Sequence, residues 1–269
     1  MDFKVIVAIP ARLESSRLPN KVIADICGKP MIVHVLERSC QSKLVDNVVL
    51  CTDNKKLSIL SNRLGYLSFM TDKNCSSGTE RIASVVSDLI KLAWKLESNV
   101  SKKTINKFAR QTLIINVQGD QPLLNFETIN EIVSLFKLSN FNSEIITPVY
   151  KLDKKDIHNP SVVKTIFTSK GKILYFSRAA IPYIRDVPQK EWHKHYEYWG
   201  HIGMYGFRAD ILINWTKLES SKLEDMEKLE QLRFLEAGYD ILSFISNEPS
   251  ISVDTKDQLN QVRLLMKDF

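Results

Sequence analysis

The chain has 269 residues, 44% hydrophobic and 25% charged, with a formal net charge of +6 and a sequence pI near 9.0. That supports one large α/β domain or a domain plus a lobe, and the cations are too dispersed to track nucleic acid, so an anionic small substrate or plain solubility accounts for them. Cys27, Cys40, Cys51 and Cys75 form no CxxC pair, and no segment approaches a membrane span or a signal peptide, which argues against zinc and disulfide scaffolds and predicts free thiols, no membrane insertion and a cytoplasmic location.

Phe3–Ile9 reads as a buried strand ended by a proline, followed by a polar loop to Lys29. Pro30 opens a helix over Met31–Cys40. Val45–Cys51 reads as a strand, Asn54–Leu64 as a helix closed by Gly65, and Tyr66–Met70 as a third strand. Thr79–Leu96 carries Ile82, Val85, Val86, Leu89, Ile90 and Ala93 at helical spacing and predicts one long amphipathic helix. Residues 97–111 are polar and basic and read as a surface insertion. Thr112–Val117 is a strongly apolar strand and Phe126–Leu138 a helix. This alternation predicts an α/β fold with a mainly parallel twisted sheet flanked by helices, and ligands in such sheets bind beyond the carboxyl ends of the strands. In the second half, Ile145–Tyr150, Ser161–Phe167, Lys172–Phe176, His201–Phe207 and Ile241–Ile245 read as strands. Residues 183–199 read as an aromatic loop, Met226–Leu235 and Thr255–Met266 as helices, with Asp254 or Thr255 as the last N-cap.

Four motifs lie at predicted strand ends or helix starts. Pro10–Lys21 places Arg12, Arg17 and Lys21 in one loop, where they either neutralise a triphosphate or form a solvated basic surface. The GxxxxGK[ST] phosphate loop is absent. Gln118-Gly119-Asp120-Gln121-Pro122 ends a buried strand with a carboxylate that suits magnesium, or serves as an ordinary turn Asp. Val253-Asp254-Thr255 offers a second carboxylate, whose local alternative is to cap the last helix. Ser76-Ser77-Gly78-Thr79 equally makes a good helix N-terminus with Thr79 capping.

The stretches IPARLESSRLPNK, GKPMIVHVLERS, SSGTERIA, NVQGDQP, NPSVVK, YFSRAAIPY, HIGMYGFR, MEKLEQLRFLEAG and SVDTKDQL run in order along nearly the whole chain. In them the chain resembles the 3-deoxy-manno-octulosonate (Kdo) cytidylyltransferase family. The resemblance implies a nucleotide-diphospho-sugar transferase fold over residues 1–269, with a nucleotide-binding half (1–140), a smaller sugar-acid and dimerisation half (141–269), and a homodimer. It implies transfer of CMP from CTP to the anomeric hydroxyl of Kdo with release of pyrophosphate, for lipopolysaccharide synthesis. By position, Arg12, Arg17 and Lys21 match the triphosphate loop, while Ala11, Gly78, Thr79 and Arg81 match the surroundings of cytosine and ribose. Asp120 and Asp254 match the Mg2+ carboxylates, making Arg12, Lys21 and Asp120 the catalytic set. Gln118, Arg178, His201, Tyr205, Glu230 and Gln231 match the sugar-acid pocket.

The chain departs from the family pattern at Gln121, where Glu is usual, and at Asn20 and Val22, where Gly and Pro are usual. Gln121 removes a negative charge beside the implied metal and keeps a related acid sugar, an 8-amino analogue of Kdo or a nonulosonate, as an alternative substrate. A non-catalytic nucleotide-binding protein on the same fold is a more distant alternative, since a pure binder needs no pair of metal carboxylates.

Overall fold

Burial of every residue from Val5 to Ala11 makes the first strand, β1 (Lys4–Ala11), the centre of its sheet. In this computed structural model residues 2–14, 18–140, 142–247 and 251–267 are described. After β1 come a 3-10 turn (Lys21–Ile23), a small hairpin of β2 (Asp25–Ile26) and β3 (Lys29–Pro30), and α1 (Met31–Ser39). β4 (Asn47–Thr52), α2 (Lys55–Arg63, capped by the Asn54 side chain) and β5 (Leu67–Met70) follow. The predicted long helix is two, α3 (Gly78–Ser84) and α4 (Val86–Trp94), broken at Val85. Both halves keep their apolar face on the core, so the periodicity passes through the break unchanged.

The 97–111 stretch is corrected as well. It contains α5 (Lys102–Ala109), which buries Ile105 and Ala109 and sets the Phe108 ring 4.6 Å from Trp94. Its three apolar contacts are spaced widely enough to leave the composition polar. β6 (Thr112–Asn116) is buried throughout, and α6 (Phe126–Leu138) coincides with its predicted bounds.

Residues 142–203 and 217–249 form a second unit, while 204–216 and 250–269 belong to the first. The second unit takes β7 (Ile145–Lys151), β8 (Lys164–Phe167), β9 (Ile173–Ser177) and β10 (Trp199–His201). The chain then supplies the first unit with β11 (Tyr205–Arg208) and α7 (Ala209–Trp215), the latter unpredicted. The predicted strand 201–207 is thus two strands of different units. α8 (Lys222–Glu227), α9 (Gln231–Glu236) and β12 (Ile241–Ile245) complete the second unit, and α10 (Lys256–Leu265) closes the first. Lys228, with φ +52°, splits the predicted 226–235 helix into α8 and α9.

In the first unit the strand order is β5-β4-β1-β6-β11, parallel except for β11 against β6. From β1 the chain builds outward to β4 and β5, then returns to place β6 on the other side. The order therefore reverses between β1 and β6, the point where doubly wound sheets bind ligands. In the second unit β12 runs parallel to β7, and β7, β10, β8 and β9 follow antiparallel. The α/β architecture is as expected, with the parallel pairing concentrated in the first unit.

Candidate active site

Strand register brings the first unit's motifs together. Ala8 of β1 lies opposite Asn116, the last residue of β6, and the Val117 amide donates to the Ala8 carbonyl, so the turn after β6 runs beside Ile9–Ala11, the last residues of β1. Pro10 is the common contact. A Cβ on Gly78 would lie 3.0 Å from the Pro10 side chain, and one on Gly119 would lie 3.1 Å from the Pro10 carbonyl. A side chain at either glycine would force the loops apart. The resulting open cleft of about 240 Å³ is lined by Ala11, Arg12, Glu14, Lys21, Gly78, Arg81, Gln118, Asp120 and Asp254, among others.

Lys21 lies at the cleft's charged centre. Asn20 takes the left-handed conformation (φ +58°) that starts the Lys21–Ile23 turn, which Asn tolerates where the family uses Gly. The Lys21 ammonium donates to Asp120 Oδ2 at 2.6 Å and Asp254 Oδ1 at 2.7 Å. Burial works against its charge, but Asp120 and Asp254 together outweigh this and raise its pKa.

Asp254 reaches Asp120 because the Val253 amide donates to the Asp120 carbonyl at 2.9 Å, while Val253, Leu259 and Val262 pack with Ile26 and Met31. Thr255 caps α10 in a reciprocal capping box with Gln258, which leaves the Asp254 carboxylate to the cleft. The local alternative for Asp254 as the cap is thereby corrected.

Asp120 Oδ1 is buried and meets no hydrogen-bond partner among the described residues. One buried carboxylate oxygen without a donor, beside a second carboxylate, is a hard-oxygen donor set that fits Mg2+ completed by phosphate oxygens and water. Among the described residues no cluster of three or more His, Cys, Asp or Glu exists, so a protein-enclosed site of the zinc type does not fit.

The other nucleotide-side candidates divide by burial. Ala11 ends β1 and Arg12 is exposed at the cleft mouth; Arg17 lies outside the described residues. Arg81 is 3% exposed and committed to Thr71, the Asp72 carbonyl and Asp53, so it fixes the loop after β5. Ser77, not Thr79, caps α3. The fully buried Thr79 hydroxyl instead accepts from Asn116 Nδ2, and Asn116 Oδ1 accepts from Gln118 Nε2. Asn116 and Asp53 went unnoticed in the sequence, where nothing marks a strand-end Asn or a turn Asp as the partner of a distant side chain. Tyr205, on β11, stands opposite Asn116 and stacks 5.5 Å from Phe207. Gln121 is 4% exposed and sits in the turn that places Asp120; its side-chain oxygen meets no partner among the described residues.

The remaining sugar-side candidates belong to the second unit. Arg178 donates through Nε to the Glu227 carbonyl (2.7 Å) and through its guanidinium to the carbonyls of Pro160 (3.0 Å) and Lys228 (3.5 Å). Glu227 spends its carboxylate on Ser177 Oγ and the Arg178 amide. His201 pairs with the Thr147 hydroxyl at 2.9 Å and meets the edge of Phe176; burial drives its pKa down to about 3. It is therefore a neutral hydrogen-bonding group, not a cation. Glu230 begins α9 and Gln231 is its first, buried residue.

The family model described as cytidylyltransferase matches residues 6–241. The chain is 37% identical to the 3-deoxy-manno-octulosonate cytidylyltransferase of Thermodesulfovibrio yellowstonii, covering 94% of each. It is 39% identical to the enzyme of the same name from Polynucleobacter necessarius, over 97% of this chain and 95% of that one. The structure of CMP:2-keto-3-deoxy-manno-octonic acid synthetase complexed with CTP superposes with a TM-score of 0.82 at 32% identity, covering 98% of this chain and 99% of the other.

Proposed function

The chain belongs to the 3-deoxy-manno-octulosonate cytidylyltransferase family, and from that premise we propose that it transfers CMP from CTP to the anomeric hydroxyl of Kdo, supplying an activated sugar for lipopolysaccharide synthesis. The observation that carries the reading is the Lys21 ammonium joining Asp120 and Asp254 at the end of β1 and β6. In the reaction the sugar's 2-hydroxyl oxygen bonds to the α-phosphorus, the bond from that phosphorus to the bridging oxygen breaks, and pyrophosphate leaves with the electron pair. The hydroxyl proton is released.

Arg12, Arg17 and Lys21 neutralise the β- and γ-phosphates, which is the main protein contribution in a transfer that relies on positioning and electrostatics. Asp120 and Asp254 would hold Mg2+, which when bound neutralises phosphate charge and acidifies a hydroxyl. Ala11, Gly78 and Thr79 present backbone to the base, and Arg81 fixes the adjoining loop. In the second unit Arg178 takes the sugar carboxylate, with His201, Glu230 and Gln231 contributing polar contacts; Gln118 and Tyr205, the other two sugar-side candidates, belong to the first unit. This keeps the nucleotide with the first unit, to which residues 250–269 contribute Asp254, and the sugar carboxylate and dimer contact with residues 141–269, in a cytoplasmic homodimer. No helix among the described residues is long and apolar enough to cross a membrane.

A second reading rests on Gln121. A buried neutral amide replaces the family's usual Glu next to Asp120, which favours testing an 8-amino analogue of Kdo and a nonulosonate beside Kdo. Pyrophosphate release, measured with CTP and each sugar acid in turn, distinguishes these substrates, and release with none of them returns the chain to nucleotide binding without transfer. Competition between CTP and UTP tests the base: each mismatched, buried polar group costs about 1–3 kcal/mol, so CTP is expected to be favoured at least about tenfold. Equal use of both would remove the cytidylyl assignment.

A further inference from the structure

Among the quoted motifs, NPSVVK ends on a residue that the proposed chemistry leaves without a role. Lys164, in β8, is fully buried, a rare place for a lysine. Its ammonium donates to the carbonyls of Asn159 and Val162, each at 2.7 Å. Arg178 donates to the carbonyl of Pro160, which lies between those two residues in the chain, at 3.0 Å. Two cations therefore grip one short turn, which Asn159 also braces by accepting from the Ser161 amide.

Neither cation forms an ion pair with a carboxylate among the described residues. The nearby Glu227 carboxylate is engaged by Ser177 Oγ and the Arg178 amide. Burial, and then the charge of Arg178, pull the Lys164 pKa down to about 8, against the opposite pull of Glu227 and Asp156. Like charges disfavour each other, the more so where one of them, here Lys164, is fully buried. Arrangements of this kind persist where the surrounding structure enforces them, and they leave a positive field ready for an anion.

We infer that Lys164 is a positioning residue for Arg178: it clamps the Asn159–Val162 turn, whose Pro160 carbonyl orients the guanidinium, and it adds positive charge behind the seat of the substrate's carboxylate. The inference rests on the proposed role of Arg178 in binding the sugar acid. It gives the buried lysine a reason that fold stability does not, since a methionine would fill the same volume without a desolvated charge.

The test is a double-mutant cycle on the whole protein, with KM for Kdo and for CTP read from pyrophosphate release. Arg178→Ala and Lys164→Met are each expected to raise the KM for Kdo about tenfold or more, as for a lost charge-assisted contact, with the KM for CTP within about twofold. If Lys164 acts through Arg178, the double variant is no worse for Kdo than Arg178→Ala alone. Lys164→Gln serves the same comparison should the methionine variant not fold. Additive losses, parallel losses for CTP, or an unchanged KM for Kdo in Lys164→Met beside a raised one in Arg178→Ala would overturn the inference alone. An unchanged KM for Kdo in Arg178→Ala would remove the sugar-acid role of Arg178 and the inference with it.

Discussion

In the first unit, Lys21 is neutralised by two carboxylates that lie 99 and 233 residues away along the chain. In the second, Lys164 and Arg178 are held by backbone carbonyls, and the histidine of the group, His201, is held neutral by desolvation. The first arrangement compensates charge with charge, which suits the proposed exchange with phosphate and a divalent ion. The second leaves the two cations without a carboxylate ion pair among the described residues, which suits the proposed carboxylate ligand. What separates the two is whether the partner is an ionisable side chain or a carbonyl dipole.

The largest expected effect breaks the first arrangement. Asp120→Asn removes one of the two carboxylates while Lys21 keeps Asp254, so the fold should survive. Turnover should fall at least about a hundredfold, since lost metal and phosphate stabilisation is worth several kcal/mol. Pyrophosphate release and a melting curve together check this, and a variant retaining more than about a tenth of the rate would remove the metal role.

A crossed pair of variants sharpens the comparison. Lys21→Ala should raise the KM for CTP about tenfold or more and that for Kdo far less, and Arg178→Ala should do the reverse. Equal weakening of both substrates in either variant would indicate loop collapse in place of separate charge seats.

The uncharged histidine gives a pH signature. His201 has a folded-state pKa depressed to about 3, below its ordinary 6.5. The unfolded chain therefore binds the extra proton first, and stability falls as pH drops below about 6.5, by about 1 kcal/mol per unit from this group. Above that range the contribution is fully present. His201→Asn should flatten the acid limb of stability against pH in urea unfolding; an identical limb in both proteins would show that another group carries it.

The smallest effect concerns the device that frees Asp254 for the cleft. Thr255→Ala removes the cap of α10 and should cost about 1 kcal/mol of stability. Turnover should fall as well, if Asp254 is drawn into the vacated capping role. Unchanged turnover with lowered stability would show that the Val253–Asp120 hydrogen bond is enough to hold it.

Much of the fold was legible locally. β6, α6 and β12 carry unbroken apolar runs or clear helical periodicity, and the bounds of α6 and β12 match the expectation. The Pro10–Lys21 loop and the Gly119-Asp120 turn stood out because charged and glycine residues follow buried strands. Other elements were missed because their signal is split. α5 commits Ile105, Phe108 and Ala109 amid polar neighbours, and the 201–207 run is apolar on both sides of a change of unit.

While the order reversal between β1 and β6 came from the sheet topology, the sequence by itself determined the alternation of strand and helix, the loops at the carboxyl ends of the strands, and the residue types able to meet phosphate and a hard metal ion. Periodicity and turn chemistry suffice for that, because each is written within a few residues of the chain. Tertiary structure decided which of several local roles each polar residue plays: Asp254 faces Lys21 while Thr255 caps, Thr79 meets Asn116 while Ser77 caps, Arg81 ties a loop to Asp53, and Lys164 is buried under Arg178's turn. Such choices depend on strand register and on core contacts that close across tens to hundreds of residues, and no local pattern encodes the partner at the far end.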